Sequence, residues 1–356
     1  MKIPFVPLNT GAALPIFGLG TWQVKDDKEL KTSLRTALDA GYRLIGELLT
    51  YLFFNSCCFQ SLDTAHIYKN EHIIGEVLHE YISTGRLKRE EIFITSKLPL
   101  VAHAPEDVEK CVNEQLEALK LDYIDLYLIH CPCPCKHQEG SWIPLSDDKG
   151  KLVFDEKTTH IDTWRELEKL YYAGKLRALG VSRFSARQLE DLYDLADVKP
   201  ANIQVECHIY WQQENLRRVC RKLGVTLTAF APLGSPGRKS SRPDGNWPDG
   251  NPLLDPLVLQ LAEKYQKSTA QVLIRFLTQN GISVISKSVN PLRILENISS
   301  FDYELNEEDM HELEDKGKTR IKLFNLDLLV FFSIQKCIYL EIFSAIGHPL
   351  YPDGEN

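Results

Sequence analysis

The chain has 356 residues, a mass of 40.7 kDa and a formal net charge of −8 at pH 7, with 44% hydrophobic and 25% charged residues. This composition is ordinary for a globular protein, and the negative charge excludes a global basic field that would attract nucleic acid or anionic lipid. The apolar stretches 48–54 and 328–334 are too short to cross a bilayer, so we expect no membrane partner.

The predicted elements alternate between short β-rich apolar runs and amphipathic helical stretches. The first predicted helix, 27–40, has Leu30, Leu34 and Leu38 on one face, and Gly41 is placed to end it. The predicted strands are 16–18, 42–45, 92–96, 124–129, 178–182, 203–206, 226–230 and 283–286. The remaining predicted helices are 71–84, 105–119, 159–173, 186–196, 213–223, 257–264, 269–280 and 291–299.

Strands that alternate with helices over this length predict a single-domain α/β protein, a closed (β/α)8 TIM barrel, rather than a doubly wound open sheet. A dinucleotide-binding fingerprint is absent from the sequence, because Gly18-Leu19-Gly20 is too short a fragment of one. Reactive side chains of such barrels stand at the carboxyl ends of strands, and Lys97 and His130 fall at or next to predicted strand ends. We assign 1–324 to the barrel and 325–356 to a tail over the active site.

Two segments break this alternation. Residues 46–62 read GELLTYLFFNSCCFQSL and stand directly before Asp63, so that their removal would join the predicted strand 42–45 to Asp63 without interruption. The segment 328–343 has a similar character. We interpret 46–62 as an insertion or a retained, translated intron, with a second insertion at 328–343; a genuine loop insertion is the alternative, which barrels tolerate well.

Four side chains together supply the chemistry that carbonyl reduction requires. Tyr68 is a phenol that can donate a proton, and the Lys97 ammonium can lower the pKa of that phenol. The Asp63 carboxylate can hold the lysine in place, and the His130 imidazole can orient a substrate oxygen. Each residue type alone is commonplace, so the prediction depends on their joint placement at strand ends.

The motifs around these residues resemble those of the aldo-keto reductase superfamily, especially its aldehyde and aldose reductase-like branch. The resemblance covers about residues 3–324, apart from the insertion, and is carried by Asp63-x-Ala65-x-x-Tyr68-x-Asn70-Glu71, Thr95-Ser96-Lys97 and Gly180-Val181-Ser182-x-Phe184. It implies NADPH-dependent reduction of aldehydes or ketones by a monomeric enzyme, with Tyr68 as the general acid and Asp63, Lys97 and His130 as its partners.

The resemblance also implies a set of cofactor contacts. A cation pair at Lys287 and Arg293 suits the 2′-phosphate that NADH lacks, so NADPH is the expected cofactor. The expected cofactor-binding residues are Gly20, Thr21, Trp22, Ser182, Gln204, Phe230, Leu233, Ser235, Lys287, Ser288, Arg293, Glu296 and Asn297.

The chain departs from the family pattern near the substrate. Arg183 stands where the family usually has Asn, and Cys131 stands where many relatives carry Trp. The expected pocket residues are therefore Trp22, Cys131 and Trp142. The spacing of Cys131, Cys133 and Cys135 does not suit a zinc site, so we expect no metal and a pocket-lining loop with exposed thiols.

Two alternatives to an active NADPH-dependent reductase remain open. In the first, the chain binds NADPH with little turnover because 46–62 displaces Asp63 and Tyr68. In the second, it is a NAD-linked alcohol dehydrogenase that works in the oxidative direction. With nine irregularly placed cysteines and an N-terminus that lacks the pattern of a secretory signal, we expect reduced thiols and a cytoplasmic location.

Overall fold

The computed structural model describes residues 4–24, 26–40, 60–241 and 247–323. The strands in these ranges are β1 (Phe5–Pro7), β2 (Ala13–Pro15), β3 (Phe17–Gly20), β4 (Gln60–Asp63), β5 (Ile92–Leu98), β6 (Leu126–Ile129), β7 (Leu179–Ser182), β8 (Asn202–Glu206), β9 (Thr226–Phe230) and β10 (Ser283–Ser286). The helices are α1 (Asp27–Asp39), α2 (Glu71–Ser83), α3 (Pro105–Leu119), α4 (His160–Tyr172), α5 (Ala186–Leu195), α6 (Glu214–Leu223), α7 (Arg238–Ser241), α8 (Pro256–Tyr265), α9 (Thr269–Gln279), α10 (Pro291–Ile298) and α11 (Glu307–Asp315). Over these ranges, the helices are all too short or too polar to span a membrane.

Strands β3 to β10 form a closed barrel within the described residues, in the order β10-β3-β4-β5-β6-β7-β8-β9, and each neighbouring pair is parallel. The main core lies between this barrel and the surrounding helices, where Leu34 of α1, Ile74 of α2 and Trp164 of α4 are fully buried. Parallel strands joined through helices that cover them are the arrangement of a (β/α)8 barrel. The predicted fold is confirmed.

The second barrel strand differs from the predicted one. The predicted strand 42–45 lies outside the described residues, as do 46–59 of the expected insertion and the segment 328–343. The strand that pairs with β3 and β5 is β4, whose residues 60–62 belong to the expected insertion. The end of this segment is therefore part of the barrel, because Gln60-Ser61-Leu62 supplies an extended run that leads directly into Asp63.

An antiparallel hairpin of β1 and β2, which the periodicity did not predict, covers one end of the barrel. Leu8 and Leu14 from this hairpin pack with Leu126 and Leu128 of β6 in a separate buried cluster. The Asn9 side chain also donates a hydrogen bond to the Pro200 carbonyl oxygen over 2.8 Å. These contacts cover the end at which the barrel strands begin, and the carboxyl end is where barrels of this kind carry their sites.

The chain after α11, also not predicted, returns to the carboxyl end of the barrel. The Gln212 side chain donates to the Leu313 carbonyl oxygen over 2.9 Å and so fastens the end of α11. Further along, the Leu323 N–H donates to Glu206 Oε1 over 2.6 Å, and the Leu323 side chain is fully buried. The last described residues therefore lie against the end of β8, at the mouth of the barrel.

Candidate active site

Three neighbouring strands bring the four predicted catalytic residues together at the mouth of the barrel. Asp63 is the last residue of β4, Lys97 lies near the end of β5, and His130 directly follows β6. Tyr68 ends a short 3-10 turn, His66–Tyr68, that follows β4. This turn stops because Lys69 adopts the left-handed conformation with φ 54°, which directs the chain away into α2.

Lys97 and Asp63 form a buried ion pair at the centre of this group. The distance from Lys97 Nζ to Asp63 Oδ1 is 2.7 Å, and the two side chains are only 1% and 5% exposed. Lys97 Nζ also donates to the Thr64 carbonyl oxygen over 2.7 Å, and Asp63 Oδ2 accepts from Gln204 Nε2 over 2.8 Å. Both charges thus have further polar partners, which a buried pair needs if it is to hold a single geometry.

A buried polar network fixes the backbone beneath this pair. The Thr21 hydroxyl donates to the Asp63 carbonyl oxygen over 3.0 Å, and the Asn70 side chain donates to the Thr21 carbonyl oxygen over the same distance. The Thr64 hydroxyl donates to Asn70 Oδ1 over 3.2 Å. Thr21, expected to bind the cofactor, therefore has its hydroxyl engaged in holding Asp63.

The Tyr68 and His130 rings meet edge to face, with centroids 5.9 Å apart and planes at 79°. Burial raises the pKa of Tyr68. The Lys97 ammonium group, 5.3 Å from the centroid of the Tyr68 ring, acts to lower that pKa, but its effect is smaller than that of burial. Lys97 acts in the predicted direction, but Tyr68 remains a protonated phenol at neutral pH. Burial together with the Lys97 and Arg183 cations lowers the pKa of His130 well below its usual range, so its imidazole is neutral and can donate one hydrogen bond.

A buried carboxyl group to which the sequence analysis assigned no role lies behind Lys97. Glu71, at the start of α2, accepts hydrogen bonds from the Ser96 hydroxyl and from Gln115 Nε2 of α3, the latter over 2.9 Å. Burial raises the pKa of Glu71 to about 7, although these hydrogen bonds and Lys97 act to lower it. Because Ser96 precedes Lys97 in β5, the network supports the strand that carries the lysine.

We expect Glu71 to make the protein less stable as the pH rises from about 4.5 to 7. With a pKa of about 7 in the folded state and 4.5 as the ordinary value, the folded state holds a proton that the unfolded state has lost. The resulting stabilisation is full below pH 4.5 and is lost as the pH rises through 7. Its upper size is about 3 kcal/mol.

Urea unfolding of the protein and of Glu71→Gln between pH 4.5 and 8 measures this effect. The free energy of unfolding of the wild type relative to Glu71→Gln should fall across this range, because the amide cannot titrate. Glu76→Gln, a change at an exposed position of the same helix, is the matched control. Parallel curves for Glu71→Gln and wild type would contradict the assignment.

The residues expected to contact the nicotinamide end of the cofactor occupy the strands that follow the catalytic ones around the barrel. Ser182 ends β7, Gln204 lies in β8 and Phe230 ends β9. Ser182 and Gln204 are buried, whereas the Phe230 ring is half-buried and has the Arg183 guanidinium carbon 5.0 Å from its centroid. At Gly20, at the end of β3, a Cβ atom would lie 2.8 Å from Ile285 Cγ2, so only glycine allows this close approach to β10.

The residues expected to contact the phosphate end gather at the start of α10. The Asn290 side chain caps this helix by accepting from the Leu292 and Arg293 N–H groups over 2.9 and 3.2 Å. Lys287 and Arg293 are exposed beside this cap, and a helix N-terminus with two cations suits an anion. Ser288 lies next to them, and Glu296 is half-buried further along α10. Asn297, by contrast, is buried and donates to the Ser286 hydroxyl over 3.3 Å.

The loop that follows β9 is held by an internal arginine. The Arg238 guanidinium donates to the carbonyl oxygens of Gly234 and Gly250 over 2.5 and 2.7 Å and is 5% exposed. Leu233 and Ser235, both expected to contact the cofactor, are half-buried in this loop. Ser235 has φ 47°, a left-handed conformation that is uncommon for non-glycine residues. The described residues 233–238 of this loop are thus held by hydrogen bonds of their own.

The cysteines after His130 are not exposed, and this part of the sequence interpretation was wrong. Cys131, Cys133 and Cys135 are 1%, 0% and 4% exposed, because they pack with Leu100 and Val101 in a separate apolar cluster. Burial raises the pKa of Cys131 to about 12, so the reactive thiolate is scarce. Within 4–24, 26–40, 60–241 and 247–323, His, Cys, Asp and Glu side chains do not gather in groups of three or more that could hold a metal ion.

The two tryptophans expected in the substrate pocket lie in different places. Trp22, which follows β3, is half-buried at the mouth of the barrel. Trp142 packs edge to face against His66, with centroids 6.1 Å apart, and its indole N–H donates to Glu114. It lines a cavity of about 360 Å³ whose walls include Ile67 but none of the four catalytic candidates. This cavity is therefore beside the catalytic group, on the outer side of the turn that carries Tyr68.

Comparisons with known proteins agree with this arrangement. The model of the Aldo/keto reductase family matches residues 16–318. Aldo-keto reductase family 1 member A1 from Bos taurus is 39% identical over 355 residues, which is 99% of this chain and 98% of the relative. The protein of the same name from Gallus gallus is 40% identical over 317 residues, which is 88% of this chain and 89% of the relative. A solved structure, the aldose reductase from Schistosoma japonicum, superposes with a TM-score of 0.77 at 37% identity. The superposition covers 91% of this chain and 95% of the Schistosoma japonicum chain.

Proposed function

This chain belongs to the aldo-keto reductase family of oxidoreductases, and from that premise we propose that it reduces aldehydes or ketones to alcohols with NADPH, using Tyr68 as the proton donor. The observation that carries the proposal is the joint placement of a protonated phenol, a neutral imidazole and the Lys97–Asp63 pair at one barrel mouth. A small aldehyde or ketone is the proposed substrate, and we propose that the protein acts as a monomer in the cytoplasm.

The nicotinamide, when bound, supplies a hydride to the carbonyl carbon. The Tyr68 hydroxyl donates its proton to the carbonyl oxygen, which would otherwise become a bare alkoxide in a site with little water. Lys97 favours the phenolate that remains, because its ammonium group lowers the pKa of Tyr68 against the effect of burial. The neutral His130 imidazole donates a hydrogen bond that orients the carbonyl oxygen. Asp63, which accepts a hydrogen bond from Gln204, keeps Lys97 in position.

The residues at the mouth fit a nicotinamide cofactor. Ser182 and Gln204 are buried polar side chains next to the half-buried Phe230 ring, which suits a planar ring that carries an amide. Lys287 and Arg293 beside the capped start of α10 suit a phosphomonoester, and this supports NADPH over NADH.

Purified full-length protein should oxidise NADPH only after addition of an activated aromatic aldehyde such as nitrobenzaldehyde, and one equivalent of alcohol should form per NADPH consumed. The absorbance of NADPH and chromatography of the alcohol measure the two quantities. Consumption of NADPH without alcohol, or tight NADPH binding without any turnover, would contradict the proposal.

We expect Lys287→Met to weaken NADPH binding by about ten- to a hundredfold and to leave NADH binding nearly unchanged, because only NADPH loses a charge-assisted contact. Fluorescence titration of both cofactors measures the two dissociation constants. Lys149→Met, at an exposed loop position, is the control. An equal loss for both cofactors would show that Lys287 does not read the 2′-phosphate and would favour the NAD-linked dehydrogenase alternative.

A second candidate is an NADPH-binding protein with little turnover, in which the segment 46–62 displaces Asp63 and Tyr68. The ion pair of 2.7 Å between Lys97 and Asp63, and the pairing of Gly20 with Asp63 across β3 and β4, support an intact site instead. Deletion of 46–62 tests this candidate, because it returns 42–45 to the position directly before Asp63. A large gain in turnover on deletion would favour it, whereas equal turnover would rule it out.

A further inference from the structure

Arg183, a departure from the family pattern that the proposed mechanism does not use, lies at the mouth of the barrel. It directly follows Ser182, the last residue of β7, and its backbone N–H donates to the Gln204 carbonyl oxygen over 2.9 Å. Its φ of 62° is in the left-handed region, which costs an L-residue with a long side chain free energy. The fold therefore holds this arginine in a backbone conformation that it shares with eight other non-glycine residues of the described chain, so its position at the mouth, rather than its φ, indicates a role.

The guanidinium group lies at the junction between the catalytic residues and the predicted nicotinamide position. Its central carbon is 5.0 Å from the centroid of the Phe230 ring, the ring expected to stack on the cofactor. Burial has the larger effect on the pKa of each neighbouring group, but the charge of Arg183 acts to lower the pKa of Tyr68, His130 and Cys131, which shows that it lies near all three. A guanidinium stays charged at any ordinary pH, so the site contains a permanent cation close to the reacting atoms.

A permanent cation acts differently on the two forms of a nicotinamide cofactor. The oxidised ring carries one positive charge and the reduced ring is neutral, while the rest of the molecule is the same. Repulsion between two unit charges several ångströms apart in a partly buried site disfavours the oxidised form by about ten- to a hundredfold in binding. Binding of the reduced form has no such penalty.

We infer that Arg183 makes this site select the reduced over the oxidised nicotinamide, so that the chain works as a reductase that readily releases its oxidised cofactor. The inference rests on the proposed function, since it needs a nicotinamide beside Phe230. The inference goes beyond that function because Arg183, rather than the residues expected to bind the phosphate, would determine whether the site prefers the reduced or the oxidised cofactor. Arg183 thus determines specificity and takes no part in proton transfer.

Fluorescence or calorimetric titration of the full-length protein with NADPH and with NADP+ tests the inference without any turnover. The ratio of the NADP+ to the NADPH dissociation constant should fall by about tenfold or more in Arg183→Gln and Arg183→Asn, through tighter binding of NADP+. Arg183→Lys keeps the charge and should keep most of the ratio. Arg187→Gln, at an exposed position on α5, is the control and should leave the ratio unchanged.

The possible outcomes separate the inference from the proposed function. If both forms bind and the ratio is the same in Arg183→Gln as in the wild type, the inference is wrong and the proposed function stands. A gain in affinity that is equal for the two forms would also overturn it, because it would show that the side chain merely occupies the nicotinamide position. If neither form binds to the wild type, the proposed function itself fails. Thermal unfolding of each variant verifies that it is folded.

Discussion

Replacing Tyr68 with Phe is expected to lower the rate of NADPH-dependent aldehyde reduction by about 10²- to 10⁴-fold, the usual contribution of a positioned general acid. The substitution removes the only hydroxyl oxygen of this side chain and keeps its ring, so the edge-to-face contact with His130 should persist. Because the proton donor acts on the substrate and not on the cofactor, the dissociation constant for NADPH should change little. Single-turnover kinetics and fluorescence titration measure the two effects separately.

The matched control for this experiment is Tyr172→Phe, since Tyr172 is 71% exposed on α4 and far from the mouth in the fold. Its rate should equal that of the wild type. Undiminished reduction by Tyr68→Phe would remove Tyr68 from the mechanism and leave His130 as the alternative donor. A parallel loss of NADPH affinity would instead indicate that the turn carrying Tyr68 had moved.

The sequence predicted the barrel because the spacing of apolar residues is a local property. It misplaced the second strand because 42–45 and 60–62 are both extended runs that could precede Asp63, and periodicity cannot choose between two candidates for one place in a barrel. The choice depends on pairing with β3 and β5, where Ser61 lies opposite Gly18 and Phe93. Such pairing is a non-local property that a single strand does not encode.

The site was predictable to the extent that its residues lie at strand ends. The Asp63, Lys97 and His130 positions follow from that rule, and the structure brings them together. The contact of Glu71 with Gln115 was not predictable, because the two residues are 44 positions apart and meet only through the packing of α2 on α3. Cys131 was expected to be exposed because the segment was predicted to be a loop that lines the substrate pocket; the packing of Leu100 and Val101 against this segment buries it.

The largest effect on stability is expected from Lys97→Met. The variant leaves the Asp63 carboxylate buried with Gln204 but without its cation, and breaking a buried pair in this way costs about 3–5 kcal/mol. Burial acts to lower the pKa of Lys97, but the attraction of Asp63 and Tyr68 outweighs it and raises the pKa above its usual 10.5. The stabilisation is therefore present throughout neutral pH and is lost only when the pH rises above that value.

The double variant Asp63→Asn with Lys97→Met separates the structural role of the pair from its catalytic role. With both charges removed, the penalty of an unpaired buried carboxylate disappears, so we expect the free energy of unfolding to recover by several kcal/mol relative to Lys97→Met, about the cost of the single change. Catalysis should not recover, because Tyr68 still lacks the ammonium group that lowers its pKa. Urea unfolding and kcat/KM measure the two quantities, with Lys28→Met on the exposed face of α1 as the control. Recovery of activity together with stability would mean that Lys97 serves the fold alone.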